Sequence, residues 1–447
     1  MSDSEQRLIF GAVADDDTGA GDLAGMLTDC GVRTILMIDV PAASAFTETT
    51  RGYQAAVIAV GTRSVPVERA EQYTRDAVRV LRQLQPRRLY LKYCSTFDST
   101  AQGNIGPAIA AALDAIGESF TVAVPALPVG GRTTYMGYHF VHDRLLSDSP
   151  LRNHPLNPMT HSDLVDFLGR QTSLSIGLAP YPVVEAGPEA LQAHLAKLRQ
   201  QGTSIVIVDC LNDGHLGIIA EAVSDFTLTT GSSALAMKFP AIWKRRGWLS
   251  ASFDSSQFPH PEPVKSGVLL IAGSCSPATR AQNDCLQLTG AKILRLNAQR
   301  AASGELDLDE LAAEAESELA ANRNCLISIS SNEEEVRLTQ QWAAQRSWDP
   351  TTLGLQILKL VADLAARVAS SGRVRGWIFA GGETAGYLCR RLGLGPFHVG
   401  SSIEPGVPLC YSLTQRMPVV LKSGNFGGGD FYGRALEAMA NPRKYFD

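Results

Sequence analysis

Three consecutive carboxylates, Asp15, Asp16 and Asp17, close the apolar run 7–14 and open the stretch Thr18-Gly19-Ala20-Gly21-Asp22. An apolar run of that length reads as a buried strand, and the polar, Gly-bearing sequence after it as a strand end entering a helix. Helix capping by Asp17 or Thr18 accounts for one of the three acids. It leaves Asp15 and Asp16 side by side and repelling each other. That pair points to chemistry: a general base, or a carboxylate that holds a substrate hydroxyl or Mg²⁺.

Two cations occupy similar places. Lys92 ends the run 88–93, ahead of Cys94-Ser95-Thr96-Phe97-Asp98. A lysine at the end of a buried strand either has a partner, for which Asp98 is the candidate, or binds an anion. Arg63 follows the run 55–60 in Gly61-Thr62-Arg63-Ser64. It is either an ordinary surface arginine or a two-armed grip on a carboxylate. Residues 125–134, PALPVGGRTT, shape either a rigid turn or a backbone that approaches a small ligand closely. His139 and His142 have no acidic or cysteine ligand beside them in sequence, so a metal site is the weaker reading there.

The second half of the chain holds three Gly/Ser-rich junctions: Gly273-Ser274-Cys275-Ser276, Gly381-Gly382-Glu383-Thr384 and Ser423-Gly424-Asn425-Phe426-Gly427-Gly428-Gly429-Asp430. Each exposes backbone N–H groups beside an expected helix N-terminus, where an anion is stabilised. One such loop also serves ordinary turns; three in one half of the chain favour a nucleotide or phosphate site. No GxxxxGK[ST] occurs, no GxGxxG follows a strand, and HRD and DFG signatures are missing, which excludes P-loop enzymes and protein kinases.

The elements that must carry these residues alternate along the chain. Apolar runs recur near 33–38, 55–60, 88–93, 120–125 and 204–209, and helical spacing covers 18–30, 66–84 and 187–201. Alternating strands and helices predict an α/β fold with a largely parallel sheet. Residues 247–267 are rich in Ser and Pro without periodicity and read as a linker. After it, apolar runs at 267–273, 292–296, 324–330 and 376–382 resume the alternation. The expectation is two α/β domains, 1–250 and 266–447, with largely parallel sheets and a ligand cleft between them. The chain has 447 residues, 45% of them hydrophobic and 19% charged, which suits an ordinary multidomain globular protein. A net charge of −5, with Lys244-Arg245-Arg246 as the densest basic run, argues against nucleic-acid binding. The eight cysteines form no CxxC pair and read as reduced thiols in a cytoplasm. The first residues do not read as a signal peptide, and no segment holds the ~18 apolar residues of a membrane helix.

Taken together, the motifs ADDDTGAGD (14–22), KYCSTFDST with GNIGP (92–107), VPALPVGGRTTYMGYHFV (124–141), HPLNPMT (154–160), GSCSPATR (273–280), GGET (381–384) and SGNFGGGDF (423–431) are specific. Through them the chain resembles the four-carbon acid sugar kinase family from Arg7 to about Met439. The resemblance implies a sugar-acid-binding N-terminal domain and an ATP-binding C-terminal domain. It places ATP contacts on Ser274, Gly381, Gly382, Glu383, Thr384 and Gly424. HPLNPMT and SGNFG look most like the branch that phosphorylates 3-oxo-tetronate on its 4-hydroxyl; related branches act on D-threonate or D-erythronate. Asp17 departs from the pattern, since the family usually has an apolar or aromatic residue there, and the GGGD after SGNFG is unusually Gly-rich. The resulting expectation is a cytoplasmic kinase using ATP and Mg²⁺, whose partners are a small sugar acid and ATP, without nucleic acid or membrane; a homo-oligomer stays open. Arg63 or Lys92, with Asp98, would hold the substrate. Asp16 would accept the hydroxyl proton, with Asp15 or Asp98 in reserve. A phosphosugar aldolase or isomerase, and a non-catalytic nucleotide-binding sensor, are the competing classes.

Overall fold

The computed structural model describes residues 8–153, 157–249, 258–259, 261–329 and 331–446. Residues 154–156 of the HPLNPMT motif, and 250–257 and 260 of the expected linker, lie outside that set. The chain divides into two compact units, 1–254 and 255–447.

The first unit is built on strands β1 (Phe10–Ala14), β2 (Thr34–Ile38), β3 (Ala55–Ala59), β4 (Arg88–Lys92), β5 (Thr121–Val124), β6 (Arg132–Tyr135), β7 (Tyr138–Val141), β8 (Arg144–Leu145), β9 (Ile176–Ala179), β10 (Ile205–Val208) and β11 (Leu228–Gly231). Eight of them form a sheet in the order β2-β3-β1-β4-β11-β5-β10-β9. Every pairing in it is parallel. Parallel strands covered on both faces are apolar throughout, and β1, β3, β4, β5, β10 and β11 are buried at every position. The helix after β1, Asp17–Asp29, leads towards β2, whereas the helix after β4, Ile105–Ile116, leads to β5 on the far side of β4. Crossovers that depart in opposite directions leave an opening at the carboxyl ends of β1 and β4, the place where parallel sheets bind ligands. β6, β7 and β8 form a separate antiparallel sheet. Within the PALPVGGR stretch, Pro128–Gly130 is a single 3₁₀ turn, and Gly131, at φ 73°, closes it.

The second unit contains β12 (Val268–Ala272), β13 (Lys292–Arg295), β14 (Cys325–Ser328), β15 (Gly376–Ala380), β16 (Phe397–Glu404), β17 (Val407–Ser412) and β18 (Met417–Lys422). Their order is β13-β14-β12-β15-β18-β17-β16. The first five are parallel, and β18-β17-β16 is an antiparallel meander. β12, β15 and β18 are adjacent, so the three Gly/Ser-rich loops leave one edge of one sheet side by side. No disulfide joins any of the eight cysteines. Among the described residues no helix is long and apolar enough to cross a membrane.

Candidate active site

The backbone at the end of β1 binds to both neighbours. The Asp15 N–H donates to the Lys92 carbonyl (3.1 Å), and the Asp15 carbonyl accepts from the N–H groups of Thr62 (2.8 Å) and Arg63 (3.1 Å). Asp15, Arg63 and Lys92 are thereby gathered on one rim. The Arg63 guanidinium donates through Nε to Asp15 Oδ2 (2.9 Å) and through Nη2 to Asp15 Oδ1 (3.1 Å). Its Nη1 donates to Asp98 Oδ2 (3.2 Å) and lies 3.7 Å from Asp16 Oδ2. The two-armed grip read from the sequence exists, and the carboxylate it holds here is Asp15. Asp98 pairs with Arg63 rather than with Lys92.

Asp16, not Asp17 or Thr18, caps the helix Asp17–Asp29. Its backbone is extended, and its Oδ1 accepts from the Gly19 N–H (2.5 Å) and from Thr18 Oγ1 (3.0 Å). Capping uses one oxygen and, among the described residues, leaves Oδ2 open apart from the longer contact to Arg63. The two neighbouring acids are pushed apart in acidity. Burial, the largest influence, holds the Asp15 carboxyl above its usual range despite Arg63. Burial works in the same sense on Asp16, but Arg63, the Gly19 N–H, Lys92 and Thr18 outweigh it and hold that carboxyl below its usual range.

Lys92 is 3% exposed. Among the described residues its ammonium has neither a hydrogen bond nor an ion pair. A Cβ at Gly19 would lie 2.9 Å from Lys92 Nζ, so the missing side chain there lets the ammonium reach the first turn of the helix. From there it acts at longer range on Asp15, Asp16 and Asp22. Asp22 accepts from Ser233 Oγ through Oδ2 (2.6 Å), while its buried Oδ1 has no partner among the described residues. Asn104 Nδ2 donates to the carbonyls of Thr62 (2.7 Å) and Val65 (2.8 Å), which fixes the loop that carries Arg63. Asp98, Asn104 and Lys92 line a cavity of about 10 Å³, room for a single water. Asn157, from the HPLNPMT motif, donates to Ser64 Oγ (3.2 Å), and Met159 Sδ accepts from the Ser99 N–H (3.5 Å), so this motif packs beneath the same loops.

His139 is not placed for a metal. Its Nε2 donates to the Ser95 carbonyl (2.8 Å), and its Nδ1 accepts from Thr134 Oγ1 (3.0 Å). Burial draws this imidazole down to about 4, so it is neutral at pH 7. His142 is exposed on the same hairpin. Among the described residues no group of three or more His, Cys, Asp or Glu side chains could hold a metal ion.

In the second unit the three loops touch. The N–H groups of Gly273 and Ser274 donate to the Ala380 carbonyl (3.0 and 3.1 Å), and the Gly381 N–H to the Lys422 carbonyl (2.8 Å). A Cβ on Gly424 would run into Ser274 Oγ, and one on Gly273 into Thr384 Oγ1. Ser274, Gly381, Gly382, Glu383, Thr384 and Gly424 thus belong to one surface. It continues into a cavity of about 190 Å³ walled by the helices Glu333–Ala344 and Pro350–Ser370. Leu353, Ile357 and Val361 give that cavity an apolar side, and Glu383 and Thr384 a polar mouth.

Two family models match this chain: a sugar-binding N-terminal domain over residues 10–239 and a nucleotide-binding C-terminal domain over 269–432. A curated Burkholderia multivorans protein named 3-oxo-tetronate kinase is 38% identical over 98% of this chain and 99% of its own length. One from Salmonella typhimurium LT2 with the same name is 37% identical over 96% and 98%. This chain belongs to the four-carbon acid sugar kinase family. Among solved structures, a Salmonella typhimurium LT2 protein described as a tRNA synthase is 36% identical, with a TM-score of 0.80 over 95% of this chain and 98% of that one.

Several residues of this kinase family member escaped the sequence reading. Lys422, at the end of β18, is fully buried, and burial draws its ammonium down to about 8. Like Lys92, it is a lysine closing an apolar run, MPVVLK, and that pattern is its signal in the sequence. Thr279 lies within GSCSPATR but was given no role, and Gln282, on the same helix Pro277–Leu288, carried no signal, because a polar residue on a helix next to a loop is common. The walls of the 190 Å³ cavity come from a region that reads only as a long helical stretch.

Proposed function

We propose that this chain transfers the γ-phosphoryl group of ATP to the 4-hydroxyl of a four-carbon sugar acid, with 3-oxo-tetronate as the preferred substrate. The observation that carries the reading is Lys92. A buried ammonium that has no partner among the described residues, close enough to Asp16 to act on its acidity, is a place for the carboxylate of an acid whose hydroxyl faces a base. The curated relatives' name supports the substrate. In this reading residues 1–250 bind the acid and residues 266–447 bind the nucleotide.

Phosphoryl transfer asks a protein for alignment and charge neutralisation rather than covalent help. Lys92 holds the acid. Asp16 accepts the hydroxyl proton through Oδ2, since both oxygens of Asp15 are taken by Arg63. Arg63 fixes Asp15 and Asp98 and keeps Asp16 ionised. The apolar cavity takes adenine, and Ser274, Gly381, Gly382, Glu383, Thr384 and Gly424 line the path of the phosphates. Mg²⁺ would enter on the nucleotide and would supply neutralisation of phosphate charge. A cytoplasmic setting supplies both ligands.

The test is ADP release over a panel of 3-oxo-tetronate, D-threonate and D-erythronate, run on the wild type and Asp16→Asn. We expect turnover to be highest with 3-oxo-tetronate and to fall roughly 10²-fold or more in the variant, as for loss of a general base. No acid-dependent ADP release would sink the reading. Full activity of Asp16→Asn with loss in Asp15→Asn would exchange the two roles.

A further inference from the structure

We propose that Lys422 and Gln282 are positioning residues that turn the carbonyls of the 423–428 loop inward, so that its N–H groups form the phosphate-binding surface, while the lysine itself never touches the nucleotide. The inference rests on the nucleotide-binding reading of the second unit.

Lys422 Nζ donates to the carbonyls of Ser423 (2.9 Å), Gly424 (3.1 Å) and Phe426 (3.1 Å) and to Thr279 Oγ1 (3.2 Å). An ammonium has three hydrogens, so these four acceptors consume it. Gln282 Nε2 faces the carbonyls of Phe426 (3.0 Å), Gly427 (2.9 Å) and Gly428 (3.1 Å). Three carbonyls around one end of an amide identify that end as the NH₂ group. The Gly424 carbonyl also accepts from Ser276 Oγ (2.6 Å) and Thr279 Oγ1 (2.9 Å). Five carbonyls of the loop are thus held from below by side chains of one helix and one strand end.

In a trans peptide the carbonyl of one residue and the N–H of the next point in opposite directions. Carbonyls drawn inward at 423, 424, 426, 427 and 428 therefore turn the N–H groups of 424, 425, 427, 428 and 429 outward. The Gly428 N–H meets the Glu404 carboxylate (3.3 and 3.4 Å), so one outward donor of this loop already carries an anionic oxygen. Among the described residues, the N–H groups of Gly424, Asn425, Gly427 and Gly429 have no protein acceptor. Successive unpaired N–H groups above a buried positive charge form a concavity for phosphate oxygens. The arrangement inverts the P-loop, whose lysine reaches the phosphates directly.

Calorimetry on the full-length protein, with ADP and adenosine as probes, tests this. Lys422→Met should weaken ADP about tenfold or more, the scale of lost charged hydrogen bonds, and leave adenosine within about twofold, because its cavity is walled by other helices. Gln282→Leu should weaken ADP in the same selective way, and it carries the test if Lys422→Met does not fold. In either variant, the KM for ATP should rise while that for the acid stays put. A folded variant that binds ADP as the wild type does overturns the proposal, as does equal loss of ADP and adenosine. A wild type that binds neither probe overturns the nucleotide reading, and this proposal with it.

Discussion

Arg63 and Lys92 are cations on one rim, and their surroundings give them different work. Arg63 is spent on Asp15 and Asp98, so Arg63→Ala strands two partly buried carboxylates. Breaking such a pair from one side costs on the order of 3 kcal/mol, and the acids it positioned move with it. That variant should lose thermal stability and kcat together. Lys92 positions nothing among the described residues, so Lys92→Met should act on the substrate. We expect the KM for the acid to rise about tenfold or more, the worth of one charged hydrogen bond, with the KM for ATP unchanged. Steady-state kinetics with each substrate varied in turn separates the two outcomes; equal effects on both KM values would move Lys92 to the nucleotide. The sequence already showed Asp15, Asp16, Arg63 and Lys92 as strand-end polar residues, because apolar runs mark strands and a polar residue closing a run sits at the strand's carboxyl end. It did not show which cation meets which carboxylate. That choice depends on β1 lying between β3 and β4, and spacing along the chain does not contain it.

At the scale of elements, most of the parallel strands were legible because they are continuous apolar runs, while β9, β11 and β18 were not read; several of the helices between them were legible because of their period. The hairpin β6–β7 was not: its two strands are four residues each, too short for alternation to stand out. The meander β16–β18 escaped for another reason. Apolar runs alone do not distinguish antiparallel from parallel neighbours. The hairpin has a testable consequence through His139, which joins it to the Ser95 carbonyl in the loop ahead of Asp98. The imidazole is neutral when folded, with its pKa drawn to about 4 from the ordinary 6.5. Between those values the unfolded chain binds a proton that the folded chain does not, so stability rises with pH across this window. The contribution is fully present above about 6.5 and is lost as pH falls towards 4, on the order of 3 kcal/mol in all. A thermal midpoint that drops between pH 6.5 and 4 in the wild type, and drops less in His139→Gln, is the expected result. Identical pH profiles would show that other groups govern acid sensitivity.

The whole molecule offers a test of the division of labour. The segment from Ser255 to Asp447 is a compact unit. Its core runs from Val268 through Leu409 and Val420 to Met439, and the Val264 N–H donates to the Met439 carbonyl (2.8 Å), so the start of the segment is tied to its end. A unit with its own core should fold alone. It carries all three Gly/Ser-rich loops and the apolar cavity, so it should bind ADP without the rest of the chain. Saturation at about a hundred times Kd stabilises a binding protein by about 2.7 kcal/mol, which for a domain of this size raises the thermal midpoint by roughly 5–10 °C. The acid sugar should leave that midpoint where it was. Gly424→Val should abolish the ADP shift, since its side chain would collide with Ser274 Oγ and restrict the loop that Lys422 holds. A fragment stabilised by the acid and not by ADP would reverse the assignment of the two units. One that responds to ADP equally with and without Gly424 would move the phosphates away from the 423–428 loop, leaving the 273–276 and 381–384 loops to hold them.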